Sequence, residues 1–468
     1  MSSYTSPPVS PPIAPYATVA GTTRYQARFA HLPADHFRQR YGLWLSSIGL
    51  GSYLQPTPHL VGMADATSDS LGDAQGYHAA VAHALALGCN VLDTAINYRG
   101  GLSEQEVGRG LAAAIAAGTV QRDEVLLCSK GGYLATDPGT GEQTDAQSGE
   151  QSGRLAAATF DMNFDLIDDR AASESASADE AEDTAQRVAQ SAAHVVEAGL
   201  ALPEEIVGDS HCMAPAFLHD QITRSLTNLG VETIDVYYLH NPETQLQQIG
   251  PHEFKQRLRR AFEQLETEAA AGRIRLYGVA TWDGLHADRQ DRIYLPLTLL
   301  EQIAREVGGE KHRFRFVQFP YNILTRTAFS AHNQPLPQKP VPSKSRGDAT
   351  IEDATPQFGP VLAAAMQLGL TAVTSTTLAQ GRVLDRLPAQ FGRALGEWES
   401  RAQAAIQFSR STPGVTTALV GMGRTDHVDE NLAVAQHAPL PRNQFFRLFQ
   451  RPATSGPPTD KPADNTPD

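Results

Sequence analysis

The chain alternates short apolar runs with amphipathic stretches from about residue 45 to residue 435. Apolar runs of strand length, separated by residues with helical periodicity, favour strands that alternate with helices. Three of the helical stretches stop at Gly88, Gly230 and Gly369, and glycine is the residue that most often follows a helix. The predicted strands are Ser46–Leu50, Asn90–Leu92, Val125–Ser129, Ile234–Leu239, Leu276–Val279, Arg315–Phe319, Thr371–Thr374 and Thr417–Val420.

Eight strands that alternate with helices predict an α/β fold of the (β/α)8, or TIM barrel, type. A doubly wound sheet alternates in the same way, but residues 49–54, GLGSYL, lack the glycine spacing of a dinucleotide-binding loop. We therefore expect residues 41–450 to form one barrel.

Four segments fall outside this alternation. Residues 1–40 form a Pro-rich tail and lead-in, predicted to be disordered up to about Gly21, and residues 451–468 form a second disordered tail. Residues 135–202, between the third strand and its helix, are rich in Ala, Ser, Asp and Glu and contain few large apolar residues. Such a composition buries too little surface to order itself, so we expect a disordered acidic insertion with at most a fraying helix near its end. Residues 331–355 predict a long loop after the sixth strand.

The net charge of −14 is concentrated in that insertion. Residues 135–183 contain thirteen acidic residues and two arginines, which leaves about −3 for the rest of the chain. No basic patch indicates nucleic acid as a partner. No apolar run approaches the length of a membrane span, and no signal peptide opens the chain. The three cysteines have no metal-ligand spacing, which predicts idle thiols, no metal site and a reducing, cytoplasmic location.

Polar residues follow three consecutive predicted strands. Asp93, Lys130 and His240 end the second, third and fourth strands, and Tyr98 lies in the loop after the second. Ser103, followed by Glu106, predicts a capping box at the start of the next helix. Any one polar residue after a strand is usually a solvated or capping residue. Because barrel active sites lie at the C-terminal ends of the strands, we expect these four residues to share one rim.

The chemistry of the four residues is complementary. A phenol, with an ordinary pKa near 10, is a poor acid at neutral pH. A neighbouring ammonium favours the phenolate and makes the phenol a better proton donor. Lys130 could supply that charge, Asp93 could hold Lys130, and His240 could orient the oxygen of a carbonyl. The set predicts a site that protonates an alkoxide or deprotonates an alcohol.

Six motifs resemble, in order, the signatures of the aldo-keto reductase superfamily. They are LDTAINYRGGLSEQEVG, CSKGG, IDVYYLHNP, GVATW, VQFPYN and LVGMGRTDHVDENL. The resemblance implies that Asp93, Tyr98, Lys130 and His240 are the catalytic tetrad, with Tyr98 as general acid. It also implies a nicotinamide dinucleotide bound without a Rossmann domain. CMAPAFLHDQ and YLHNPE are similar to a bacterial-type branch of sugar dehydrogenases.

The resemblance further implies a set of cofactor-binding residues. Gln318 matches the residue that holds the nicotinamide carboxamide, and Thr281 replaces one of its usual Ser-Asn companions. The aromatic residue that normally stacks on the nicotinamide falls near Ser375, in a loop that also contains Leu378, so this chain departs from the family there. Glu430 and Asn431 match the adenine-binding pair.

Cofactor choice depends on the segment after the last strand. His427 occupies the place of the family's usual arginine, while Gly421 and Met422 replace its common lysine and serine. Arg424 is the remaining cation for a 2′-phosphate. We expect NADP(H), with NAD(H) as the alternative.

Asn241 and Trp282 are predicted to line the pocket of a small carbonyl or sugar substrate. Two other function classes stay open: a non-catalytic nucleotide-binding redox sensor and a Schiff-base aldolase acting through Lys130. His211 and Cys212 are a further candidate nucleophile pair. The natural substrate, the physiological direction and the oligomeric state stay open at this level.

Overall fold

The structure is a computed structural model that describes residues 13–53, 74–134, 189–208, 210–337, 357–387 and 394–449. Eight parallel strands close into a barrel in which each strand pairs with its neighbours in chain order. The barrel strands are β1 (Ile48–Gly51), β2 (Val91–Asp93), β3 (Leu126–Gly131), β4 (Ile234–His240), β5 (Ile274–Ala280), β6 (Phe314–Pro320), β7 (Thr371–Ser375) and β8 (Val415–Gly421). The predicted (β/α)8 fold is confirmed.

One helix follows each barrel strand and packs on the outside. These helices are α1 (Ala74–Ala86), α2 (Leu102–Ala116), α3 (Pro215–Leu229), α4 (Pro251–Ala270), α5 (Leu297–Gly308), α6 (Val361–Gln367), α7 (Arg401–Ser411) and α8 (Thr425–Leu432). Gly88, Gly230 and Gly369 have positive φ angles where helices end, as their positions predicted. Shorter helices span Thr327–Ser330, Arg382–Arg386 and Arg442–Arg447. Among the described residues, no helix has the length and apolar character needed to cross a membrane.

The start of α2 differs from the predicted capping box. Arg99, Gly100 and Gly101 all have left-handed backbone angles, so Gly101 takes the N-cap position and no side chain caps the helix. Glu106 instead contacts His78 and Arg109. The tight entry from the Tyr98 loop moves the N-cap from Ser103 to Gly101, two residues earlier than the capping motif indicates.

The N-terminal lead-in closes the bottom of the barrel. A helix spans Val19–Arg28, and the antiparallel hairpin Phe37–Arg40 with Leu43–Ser46 leads into β1. Ala17 is buried, and its backbone N–H donates to Asp235 Oδ1 at 2.6 Å. The predicted disorder up to Gly21 is therefore wrong for residues 13–21. The reason is that a partner in the barrel floor fixes this segment, which its Pro-rich composition does not reveal.

The two predicted interruptions lie mostly outside the described residues. Residues 135–188 and 338–356 belong there, as do the tails 1–12 and 450–468. The end of the insertion is described, and it has a helix over residues 189–197 whose Val195 packs in a small cluster with Leu134 and Phe217. After β6, Gln334–Pro335 pairs with Phe358–Gly359, so part of the predicted loop is a two-stranded ladder.

Candidate active site

The four polar residues at the strand ends meet at the C-terminal mouth of the barrel. Asp93 is the last residue of β2, and His240 is the last residue of β4. Lys130 precedes the last residue of β3, and Tyr98 opens the turn Tyr98–Gly101 after β2. All four side chains are buried, with exposed fractions between 1% and 8%.

Lys130 is the centre of the cluster. Its Nζ donates to Asp93 Oδ2 at 2.6 Å, to the backbone oxygen of Thr94 at 3.0 Å and to the Tyr98 hydroxyl oxygen at 3.2 Å. These contacts use all three N–H groups of an ammonium. A carboxylate, a carbonyl and a phenol therefore hold one buried cation in a fixed position.

Asp93 has a second partner. Gln318 Nε2 donates to Asp93 Oδ1 at 2.8 Å, so each carboxylate oxygen accepts one hydrogen bond from a buried side chain. Gln318 lies in β6, almost across the barrel from β2. This bond fixes the carboxylate, which in turn orients Lys130.

His240 lies between two tyrosines. Its ring centroid is 5.9 Å from that of Tyr98 and 5.1 Å from that of Tyr133, in edge-on arrangements. Burial lowers the pKa of His240 well below its usual value, and the positive charge of Lys130 acts in the same direction. The imidazole is therefore neutral at physiological pH and retains one N–H as a hydrogen-bond donor.

Two aromatic residues of this site went unnoticed at the sequence level. The ring of Tyr53 lies 5.1 Å from that of Tyr98, and Tyr133 packs against His240. Tyr53 follows β1 by two residues and Tyr133 follows β3 by two residues. The rule that residues after a strand end reach the mouth could have found both.

A cleft at the mouth contains several of the expected cofactor residues together with the polar cluster. It is lined by Gly51, Ser52, Tyr53, Asp93, Tyr98, Gln318, Ser375, Leu419 and Gly421. Of the expected residues, Gln318, Ser375 and Gly421 thus lie beside Asp93 and Tyr98. Thr281 is buried next to them, and its N–H donates to the Gln318 carbonyl oxygen at 2.9 Å.

The other expected cofactor residues lie farther along the β7 and β8 loops. Leu378 is partly buried, whereas Arg424, His427 and Glu430 are exposed and Asn431 is buried on α8. Met422 is fully buried and so presents nothing to a ligand. The guanidinium of Arg424 donates to both oxygens of Asp426, at 3.0 and 2.6 Å.

A model of the aldo/keto reductase family matches residues 62–334, which is more than half of the chain. The chain belongs to the aldo/keto reductase family. The resemblance seen in the six motifs is thereby confirmed, and the family places this chain among oxidoreductases.

Solved aldo-keto reductases share the fold at low sequence identity. The glycerol dehydrogenase AKR11B4 from Gluconobacter oxydans matches at 14% identity with a TM-score of 0.51, over 89% of this chain and 95% of that one. An aldo/keto reductase from Klebsiella pneumoniae, in complex with NADP and acetate, matches at 17% identity with a TM-score of 0.47, over 87% of this chain and 91% of that one. A search of curated protein sequences finds no match.

Two features of the loops around the mouth of this aldo-keto reductase bear on whether it can hold a dinucleotide. Among the described contacts, Thr281 Oγ1 and Asn431 Oδ1 are buried without a hydrogen-bond partner, and buried polar atoms of this kind are the groups that a ligand satisfies. The β7 loop adds Thr376, Ala379 and Gln380, three non-glycine residues with φ between 45° and 55°. Such backbone strain concentrates at ligand-binding loops.

The two expected substrate residues are tied to neighbouring loops. Asn241 is buried with a φ of 43°, and its Nδ2 donates to the Tyr133 hydroxyl at 3.2 Å. Trp282 is half-buried, and its backbone N–H donates to Glu243 Oε1 at 2.7 Å. Glu243, which sequence analysis missed, also accepts from the N–H groups of Asp283 and Gly284. Burial raises the pKa of this carboxyl to about 7.

His211 and Cys212 do not form a nucleophile pair. Burial raises the pKa of the Cys212 thiol to about 12, whereas a nucleophilic cysteine needs a lowered one. Both ring nitrogens of His211 contact other groups, namely the His240 carbonyl oxygen and Gln245.

Proposed function

We propose that this chain is an NADP(H)-dependent oxidoreductase that interconverts the carbonyl and alcohol forms of an aldehyde, ketone or sugar, with Tyr98 as general acid and base. The observation that carries the proposal is the position of the Lys130 ammonium, 2.6 Å from Asp93 and 3.2 Å from the Tyr98 hydroxyl. A carboxylate and a phenol on one buried lysine are the combination that a reversible proton transfer from tyrosine needs.

In reduction, a bound nicotinamide would supply the hydride to the carbonyl carbon, and the protein supplies the proton to the oxygen. The Tyr98 oxygen accepts a hydrogen bond from Lys130, so its own proton is directed to the substrate oxygen. As that proton leaves, the ammonium stabilises the phenolate at short range. Asp93 holds the Lys130 ammonium in place, and Gln318 holds Asp93 in place.

His240 orients the substrate oxygen. Because its imidazole is neutral, it donates one N–H without carrying a charge that would compete with Tyr98 as acid. Asn241 and Trp282, on the loops after β4 and β5, form the wall against which the rest of the substrate packs.

The cofactor assignment follows the same loops. Gln318 donates one amide N–H to Asp93 and lines the cleft, where its side-chain amide would contact the nicotinamide carboxamide, with Thr281 as a second contact. Ser375, Leu378 and Gly421 would contact the middle of a bound dinucleotide. Glu430 and Asn431 would bind its adenine, and Arg424 with His427 would bind a 2′-phosphate.

Replacing Tyr98 by Phe tests the general acid. General acid catalysis contributes about 10²- to 10⁴-fold, so NADPH-dependent reduction of the best substrate from a panel of aldehydes, quinones and sugars should fall at least by the lower figure. NADPH affinity, measured by fluorescence titration, should stay within about twofold. Tyr77→Phe is the matched control, because it removes another buried hydroxyl near the mouth, one that donates to the Gly51 carbonyl. Near-normal turnover in Tyr98→Phe would show that another group donates the proton.

The same panel separates the two other function classes. Tight NADPH binding with no turnover on any substrate would favour a redox sensor. Borohydride trapping of a carbonyl compound on Lys130 would favour a Schiff-base aldolase. We expect no trapping, because an ammonium held by Asp93 lacks the free lone pair that attacks a carbonyl.

A further inference from the structure

The acidic insertion leaves and rejoins the barrel beside His240. Tyr133 and His211 form an antiparallel bridge there. Two backbone hydrogen bonds reinforce it, from Leu134 N to Ser210 O and from Cys212 N to Gly132 O, both 2.8 Å. The segment that carries His211 is thus fixed against the loop after β3.

The hydrogen bonds of His211 define its tautomer. Its Nε2 lies 2.7 Å from the His240 carbonyl oxygen, which only accepts, so Nε2 must carry the proton. The other nitrogen, Nδ1, then has a lone pair and accepts from Gln245 Nε2 at 3.0 Å. Burial lowers the pKa of His211 to about 4, so the ring is neutral and the arrangement persists at physiological pH.

The residues around His211 pack closely against its hydrogen bond to the His240 carbonyl oxygen. A Cβ atom on Gly132 would lie 2.9 Å from the His240 oxygen and 3.0 Å from His211 Nε2, so glycine is needed there. The Tyr133 ring packs edge-on against both imidazoles, at 5.0 Å from His211 and 5.1 Å from His240. His211 is therefore packed between the base of the insertion and the backbone of His240.

His240 needs such a support because the chain turns sharply after it. Asn241 has a left-handed backbone at φ 43°, which is costly for a non-glycine residue. The His240 ring is not fixed by a hydrogen bond at Nδ1, because that nitrogen has no partner among the described residues. The orientation of the ring thus depends on the backbone carbonyl that His211 holds and on the two flanking tyrosines.

We propose that His211 is a positioning residue that acts through His240, fixing the backbone from which the substrate-orienting imidazole projects. The inference rests on the proposed function, in which His240 orients the carbonyl oxygen. A misplacement of about 1 Å at a reacting group can cost about 10²-fold in rate, so loss of this hydrogen bond should lower kcat far more than it lowers cofactor affinity.

The test compares variants of His211 with a matched buried histidine. His211→Phe keeps a ring but removes the donor, and we expect kcat to fall about 10- to 100-fold with unchanged NADPH affinity. His211→Gln retains a neutral N–H donor and should restore kcat to within about threefold of wild type. His36→Phe is the control, because His36 at the floor of the barrel is also fully buried, has a pKa lowered by burial to about 4, and contacts a backbone carbonyl oxygen, that of Gly88, at 2.9 Å. If His211→Phe does not fold, His211→Met fills the volume without a donor.

A double-mutant cycle with His240→Ala decides whether His211 acts through His240. We expect His211→Phe to cause no further loss in the His240→Ala background, because the group that it positions is gone. Three results would overturn the inference: losses that multiply in the double variant, equal losses in His211→Phe and His36→Phe, or no rescue by His211→Gln. Full activity in His240→Ala would overturn the proposed role of His240, and the inference with it. Loss in His240→Ala without loss in His211→Phe would overturn the inference alone.

Discussion

A buried cation lies at the mouth of the barrel and another at its floor, and the two donate hydrogen bonds to different kinds of partner. At the mouth, Lys130 is bound by a carboxylate, a carbonyl and a phenol. At the floor, Arg410 on α7 is fully buried and donates to Gln407 Oε1 at 2.7 Å and to the His437 carbonyl. Arg38 beside it donates to the carbonyl oxygens of Val415 and Thr416. Burial lowers the pKa of Arg410 to about 9 and that of Arg38 to about 10.

The difference lies in what the partners can do. Carbonyl and amide oxygens keep one protonation state, so the floor can only hold its cations in place. A phenol beside an ammonium can lose and regain a proton, so the mouth can take part in a reaction. Burial of a charge alone therefore does not indicate catalysis, whereas burial next to a titratable partner does.

The largest expected effect comes from replacing Lys130, the buried cation of the mouth. Lys130→Met removes the charge that stabilises the phenolate, so turnover should fall by at least about 10²-fold, and any residual activity should show a pH–rate profile with a raised apparent pKa. Arg410→Met is the matched control at the floor and should leave turnover per folded molecule within about twofold. An unchanged pH–rate profile in an active Lys130→Met would make Lys130 a structural residue.

Acid should destabilise both ends alike, because each buries a neutral histidine. His36 at the floor and His211 near the mouth both have a pKa lowered by burial to about 4, against 6.5 when unfolded. Between these values the unfolded state binds more protons, so each histidine should reduce the free energy of unfolding by up to about 3 kcal/mol as pH falls from 6.5 to 4. Urea titrations across this window should show a flatter pH dependence for His36→Gln than for wild type. An identical slope in the two proteins would mean that His36 is not the group that titrates.

The stability of the floor should depend on Arg410. Arg410→Met leaves the buried oxygens of Gln407 and His437 without their donor, and each orphaned acceptor costs about 1–3 kcal/mol. We expect the free energy of unfolding to fall by about 3 kcal/mol, measured by urea denaturation at pH 7.5. Arg386→Met, at an exposed position, should change it by less than about 0.5 kcal/mol. If both substitutions lowered the free energy of unfolding equally, the buried hydrogen bonds of Arg410 would not be what stabilises the floor.

The smallest expected effect lies on the rim, where charges are exposed. NADPH should bind about tenfold more tightly than NADH, or about 1.4 kcal/mol, and Arg424→Ala should erase that margin while leaving NADH binding nearly unchanged. Asp426→Asn frees Arg424 from its carboxylate partner and should increase the margin. Fluorescence titration of both cofactors measures each case, and equal binding of NADH and NADPH by wild type would make the enzyme NAD(P)-dependent.

The sequence by itself determined the barrel and the composition of its mouth. All eight predicted strands correspond to barrel strands within a few residues at each end, because alternating strand and helix periodicity is a local property of the chain. Asp93, Lys130 and His240 could be assigned to one rim because parallel barrel strands all end at the same face.

Only the tertiary structure decided which of these residues touch. The hydrogen bond from Gln318 to Asp93 joins residues 225 positions apart, and no local pattern encodes such a pairing before the barrel closes. His211 became a neighbour of His240 because the two ends of the insertion pair at its base. Ala17 became ordered because Asp235 in the floor accepts its N–H. Periodicity specifies which face of an element is buried, whereas contacts between distant residues depend on how the closed barrel places those faces against each other.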